Sequence, residues 1–296
     1  MTDYVLSCCS TADLTEKMLD ENDIHYVSFH YEIDGVDHLD DMGGTISSDM
    51  FYKLISDGIE TKTSQVSVGE YVDYFKQFAM EGKDILHVCL SSGISGTYTS
   101  AQLAAKIIRD DFPDIKIIII DSLCASSGYG LLMFYASALR NMGKSIDAVA
   151  QWIEDNKLNI NHWFFSTDLS AYIRGGRISK TCGTISGVLD ICPILDMDNE
   201  GHLSPYSKVR TKRKAKERIV DEMVKSAYDG EGYRGKCFIS HSGCFEDARD
   251  VADMIEDKFK HLDGKVEIFD IGATIGVHTG PGTIAVFFFG PCRIEK

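Results

Sequence analysis

The sequence predicts an α/β protein built as two α/β lobes with a cleft between them. Three observations carry this reading. Short β-rich apolar runs alternate with longer stretches of helical spacing from one end of the chain to the other. Several runs are continuous rather than alternating, as in Ile117-Ile-Ile-Ile120 and Ala285-Val-Phe-Phe-Phe289, the pattern of strands buried on both faces of a parallel or mixed sheet. The 296 residues also suffice for one large or two medium domains whose core needs no disulfide or metal staple.

In order, Tyr4 to Cys8 and His25 to His30 read as strands. Ser67 is placed to cap a helix on which Val68, Val72, Phe75 and Ala79 share one face. Asp84 to Leu90 and Ile115 to Asp121 are strands, separated by a helix over Thr97 to Arg109. Two consecutive helices follow, Gly128 to Arg140 and Ile146 to Asn156. The polar turn Asn156-Lys-Leu-Asn-Ile-Asn161 then marks a boundary, giving an N-terminal lobe over 1–158 and a C-terminal lobe over 159–296. Beyond it, His162 to Ser166, Cys192 to Asp196, Lys236 to His241, Val266 to Gly272 and Thr283 to Gly290 read as strands. Lys212 to Tyr228 and Glu246 to Phe259 read as helices. The chain shows no low-complexity linker and no short-period repeat.

Charge narrows the function classes. Forty-five acidic against 30 basic residues give a formal net of −15, a field that repels phosphate backbones and argues against a nucleic-acid partner. The longest apolar runs, Ile284 to Phe289 and Leu131 to Ala136, fall far below the roughly 18 residues a membrane span needs. Nine cysteines, an odd number with no C-x-x-C pair, and an N-terminus without a basic region point to reduced thiols in a cytoplasm. Cys237, His241 and Cys244 come closest to a zinc-like spacing, but packing is the expected role, so no metal is expected. Vicinal Cys8-Cys9 and the isolated Cys182 are likewise read as packing residues.

Four elements could carry chemistry. Ser91-Ser-Gly-Ile-Ser-Gly-Thr97 follows a strand and opens a helix, so it is either a capped tight turn or an anion site of converging N–H groups. It lacks the G-K-[ST] of a P-loop and the G-x-S-x-G of a nucleophile elbow. His278-Thr-Gly-Pro-Gly282 is a sharp turn that would present His278 at a strand edge, as structure or as a binding or acid–base group. Thr63-Ser-Gln-Val-Ser67 has more hydroxyls than one helix cap uses. Arg174-Gly-Gly-Arg177 and the run from Lys208 to Lys216, which includes Arg210, are the places where cations gather in an acidic chain; the run reads as a solvated helix start or as a docking patch for an acidic partner or a phosphate-bearing ligand.

These strings, together with Ser10-Thr-Ala-Asp-Leu14, Asp121-Ser122, Gly128-x-Gly130, Gly175-Gly-Arg-Ile-Ser179 and Lys208-Val-Arg210, occur in the order of the DegV family, which the sequence resembles over nearly its whole length. The resemblance implies a DegV-like fold that holds a long-chain fatty acid between its lobes, with no cofactor. Thr63, Ser95 and Gly96 would bind the carboxylate, with His278 beside it. The carrier would not itself be an enzyme but would present its ligand to the ATP-binding subunit of a fatty acid kinase, for which Arg174, Arg177 and Arg210 are the docking candidates. Departures are Cys8-Cys9 where the family commonly has Thr-Asp, Val66 where proline often follows T-S-Q, and Cys192 where lysine often precedes Pro193. A second reading makes the chain a serine hydrolase, an acyltransferase or a phosphotransfer enzyme using Ser95 and His278.

Overall fold

The computed structural model describes residues 4–179 and 191–293; Cys182 lies outside them. The first half supplies β1 (Tyr4–Cys9), α1 (Glu16–Glu21), β2 (Ile24–Val27), β3 (His30–Ile33), β4 (Val36–Leu39), α2 (Ser48–Ser56), β5 (Thr61–Ser64) and α3 (Val68–Met80). It continues with β6 (Asp84–Cys89), α4 (Thr97–Asp111), β7 (Ile117–Asp121), α5 (Ser127–Asn141) and α6 (Ile146–Asn156). The second half supplies β8 (Ile160–Phe165), α7 (Ser170–Arg174), β9 (Ile191–Met197), β10 (Leu203–Arg210) and α8 (Lys212–Ser226). It ends with β11 (Phe238–His241), α9 (Phe245–Lys258), β12 (Glu267–Asp270), α10 (Ala273–Thr279) and β13 (Ile284–Phe289).

A parallel sheet of order β2-β1-β6-β7 forms the first half, covered by α3 and α4 and by α6. Its central strands β1 and β6 are buried and largely apolar because helices remove water from both faces. The expected cap is present: Ser67 Oγ accepts the Glu70 N–H at 3.3 Å and Glu70 Oε2 accepts the Ser67 N–H at 2.8 Å, a capping box at the start of α3.

The second half is a six-stranded mixed sheet of order β10-β9-β8-β13-β11-β12, antiparallel except for the β11–β12 pair. Register explains its unbroken hydrophobic strands. Phe164 pairs with Ala285 and His162 with Phe287, and these residues face the first half. Trp163, Phe165, Ile284, Val286 and Phe288 point the other way, into a separate core under α8 and α9. Helix α5 lies between the two halves, packing on β8, β11 and β13 on one side and on the turn after β1 on the other. Gly128 is required there, since a Cβ would come within 2.5 Å of His162 Nε2 and 2.7 Å of the Phe287 ring.

Several elements differ from the sequence expectation. The stretch from His25 to His30 is not one strand: β2 ends at Val27 and β3 joins a separate antiparallel sheet of order β4-β3-β5. Asp34 and Gly35, both at positive φ, make the two-residue turn between β3 and β4. The run from Lys208 to Lys216 is not one helix start, because its first part is the edge strand β10 and only Lys212 onward is helical. Part of its charge is spent: Lys212 and Lys216 pair with Asp247 at 2.7 and 2.6 Å, Lys216 reaches Asp250 at 2.7 Å, and Arg213 reaches Glu217 at 3.0 Å. Cys8, Cys9, Cys89, Cys124, Cys192 and Cys237 are buried. Among the described residues no helix is long and apolar enough to cross a membrane, and no cluster of His, Cys, Asp or Glu is arranged to hold a metal ion.

Candidate functional site

A cavity of about 400 Å³ lies where the two halves meet α10. Its walls are apolar over most of their extent, with Phe29, Leu90 and Ile94 from the first half and Phe164, Leu203 and Ile275 from the second. Thr63, His278 and Arg177 form one connected polar group on its wall, and Ser95 lines it as well. A mostly apolar space with a few convergent polar groups is the usual form of a small-molecule site.

Each polar group is placed by local structure. Thr63 comes from β5, paired with Tyr31 of β3. His278 is not at a strand edge: it sits in the last turn of α10, which Gly280 ends at φ 64°. The missed helix is short, mostly β-branched and flanked by Gly272 and Gly280, so its sequence reads as a turn. Ser95 lies in the loop between β6 and α4, where the Ile94 and Ser95 amides both donate to Ser91 O, at 3.2 and 3.1 Å. This loop packs backbone to backbone on the turn between β9 and β10, and a Cβ on Gly93 would fall 2.6 Å from the Gly201 carbonyl. Gln65 lies across Gly96, its Oε1 2.6 Å from where a Cβ would stand, while its Nε2 donates to Ser100 Oγ at 3.0 Å.

The donor and acceptor pattern fixes the chemistry. His278 Nε2 is 2.7 Å from Thr63 Oγ1, and Arg177 Nη1 is 3.4 Å from His278 Nδ1. A guanidinium only donates, so Nδ1 is the acceptor and the ring proton is on Nε2. Thr63 therefore accepts from His278 and keeps its own O–H for another partner. Burial, with the nearby Arg177 and Arg174 charges, pushes the His278 pKa down to about 4, so the ring is neutral at pH 7. Ser95 Oγ accepts the Thr97 N–H at 3.2 Å and likewise retains its O–H. Arg177 donates to Ile94 O at 3.1 Å and Gly175 O at 2.7 Å, leaving Nη2 out of these bonds. The result is a cluster of unspent donors with one enclosed positive charge, suited to an anionic oxygen pair.

Of the residues singled out from sequence, Thr63, Ser95 and His278 line the cavity and Gly96 opens α4 beside them. Arg177 also lines it, half-buried, whereas Arg174 and Arg210 are exposed. His278 has both ring nitrogens engaged by Thr63 and Arg177, which is not the Ser–His–carboxylate order a hydrolase needs. Sequence reasoning missed His162, which borders the apolar part. Burial holds its pKa well below the usual range; Nδ1 donates to Ile160 O at 3.1 Å and Nε2 accepts the Ala125 N–H at 3.3 Å. A histidine in an apolar strand carries no signal that separates it from core. It missed Thr283 as well, which meets Tyr172 OH at 2.9 Å.

The DegV family model, whose description reads "uncharacterised protein, DegV family", matches residues 9–290. A DegV domain-containing protein of Clostridium perfringens is 36% identical, covering 99% of this chain and 99% of its own. One from Streptococcus pyogenes is 33% identical over 97% of this chain and 98% of its own. Among solved structures, DegV of Bacillus subtilis, a fatty acid binding protein, superposes with a TM-score of 0.82 at 25% identity, covering 98% of this chain and 100% of that one. A stearic-acid-binding protein from Eubacterium ventriosum has a TM-score of 0.85 at 24% identity, covering 96% and 98%, which shows a common mixed α/β fold. With a family match that spans nearly every residue and relatives alike from end to end, the chain belongs to the DegV family.

Proposed function

We propose that this protein binds a long-chain fatty acid between two lobes, 1–158 and 159–296, and presents its carboxylate to a separate ATP-dependent fatty acid kinase subunit for acyl-phosphate formation. The observation that carries the binding reading is the relay from Arg177 through His278 to Thr63 on the wall of a mostly apolar cavity. The Thr63 and Ser95 hydroxyls and the Gly96 amide bind the carboxylate, and Arg177 compensates its charge. Burying an unpaired carboxylate costs several kcal/mol, so such a cluster selects the chemical class. The tail supplies affinity: at about 0.8 kcal/mol per methylene, sixteen carbons represent on the order of 11 kcal/mol before the costs of ordering. The stearic-acid-binding protein of Eubacterium ventriosum and the fatty acid binding DegV of Bacillus subtilis support the same ligand class.

In this reading the protein is a cytoplasmic carrier rather than an enzyme, and the phosphoryl group comes from its partner. Arg174 and Arg210, exposed in a chain of net charge −15, are where an acidic partner surface would dock. Mass spectrometry of an organic extract of the purified protein is expected to find a long-chain fatty acid near one per chain. An empty extract together with no uptake of added palmitate or oleate overturns the binding reading. Acyl-phosphate formation from ATP that requires both this protein and a kinase subunit tests the second half; formation that proceeds without this protein refutes it.

A further inference from the structure

The Ser10-Thr-Ala-Asp-Leu14 string takes no part in the carboxylate site, yet its aspartate is buried and bonded to a residue of the cavity wall. Asp13 Oδ1 accepts the Gly272 N–H at 3.0 Å, just ahead of α10. Asp13 Oδ2 accepts the hydroxyl of Ser126, a cavity-lining residue at the start of α5. Ser126 Oγ is 2.9 Å from Ser240 Oγ on β11, which is 2.7 Å from Ser127 Oγ. One carboxyl group thus joins the first turn of α5, the second sheet and the entry to α10.

Two further side chains of the first half hold the same short helix. Buried Asp40 accepts the Thr274 N–H at 3.2 Å, and Tyr52 donates to Ile271 O at 2.7 Å. The cavity face of α10 carries Ile275 and His278, and its far end is set by where its start is pinned, about 9 Å away along the axis. Backbone conformation marks the same place. Asp13 has φ 49°, and Ser126 has φ 54° with ψ −150°, a region that side chains other than glycine adopt only when the surroundings over-determine it.

We propose that Asp13 is a positioning residue for ligand binding: by pinning the start of α10 and, through Ser126, the start of α5, it holds His278 in register with Thr63. This rests on the fatty-acid reading for its binding consequence, while its geometric content concerns the ligand-free protein.

The experiment has two readouts. Release of cis-parinaric acid, a fluorescent fatty acid, is followed by stopped flow, and the His278 titration is followed by NMR in ligand-free protein. In Asp13→Ala, release is expected to quicken about tenfold, and the His278 pKa to rise from about 4 toward its ordinary value as the ring leaves Arg177. Asp13→Asn, which keeps an acceptor for Gly272, restores most of both. Ile255→Ala, in the separate core under α9, lowers Tm but leaves both readouts unchanged. If Asp13→Ala does not fold, Ser126→Ala removes one arm of the same link and is expected to quicken release two- to threefold. The proposal is overturned if the aspartate and serine variants keep the parent's release rate and His278 titration, or if Ile255→Ala shifts both as much. A parent that binds no cis-parinaric acid refutes the fatty-acid reading alone, and the His278 titration still decides on Asp13.

Discussion

His87 and His278 each sit among hydroxyl groups, but the two clusters are wired in opposite ways. His87, on β6 inside the parallel sheet, is fully buried; its Nδ1 meets Ser7 Oγ at 2.7 Å and its Nε2 lies 3.7 Å from Cys9 Sγ. Ser7 is held by Tyr74 OH at 2.8 Å, Cys9 by Tyr71 OH at 3.2 Å, and Tyr71 by Thr97 Oγ1 at 2.8 Å. Every group there finds its partner within the protein, as buried polar groups must. His278 instead belongs to a chain that ends on hydroxyls with a proton left to give, facing an apolar space. A polar cluster acts as a site when its donors outnumber its internal acceptors at a cavity wall, and as scaffold when they balance.

Substitutions can break or sharpen this contrast. The largest effect on binding is expected from Arg177→Ala, which removes the enclosed positive charge: about 3 kcal/mol, or roughly a hundredfold weaker retention of palmitate by calorimetry, with little change in Tm. His87→Ala should do the reverse, costing about 2–3 kcal/mol in urea unfolding while leaving palmitate affinity near the parent's. Equal losses of affinity and stability in His87→Ala would erase the distinction between the clusters. Thr63→Val and Ser95→Ala each remove one donor to a charge and should weaken binding by about 1.5–2 kcal/mol, measured in the same titration.

The smallest effect concerns pH. Because the His278 pKa falls from 6.5 unfolded to about 4 folded, the unfolded chain binds the extra proton between those values. Its contribution to stability is intact above pH 6.5 and is lost as the pH drops toward 4. His278→Gln should flatten the difference in urea midpoint between pH 7.5 and 5.5; an unchanged difference would mean that the ring is not held neutral.

Much of this was legible in the chain. Continuous apolar runs declared strands covered on both sides, and the glycine- and serine-rich loop before α4 declared itself by its place after a strand. What escaped reading depends on contacts distant in sequence or on signals too short to weigh. Asp34-Gly35 is a two-residue hairpin signal, but the strands beside it are only four residues each. Arg177 reads as a surface cation because nothing nearby in sequence needs it. The chain turns back after α7 through Gly176 at φ 72°, and the Arg177 N–H returns to Tyr172 O at 3.0 Å, which aims the side chain at Ile94 and His278. The pairing of Lys212 and Lys216 was hidden for the complementary reason: Asp247 and Asp250, which meet them, lie more than thirty residues away.

Helix α5, packed between the two halves, constrains how a ligand could come and go. Its buried face carries Tyr129, Leu131, Leu132 and Met133, none of which water reaches. Parting the halves like a shell would wet that helix on one side and the aromatic rings of β8 and β13 on the other, at a cost approaching unfolding. The two halves are thus expected to melt as one cooperative unit. Calorimetry of the intact chain should therefore show a single transition, and a fragment ending at residue 158 should expose α5 and aggregate.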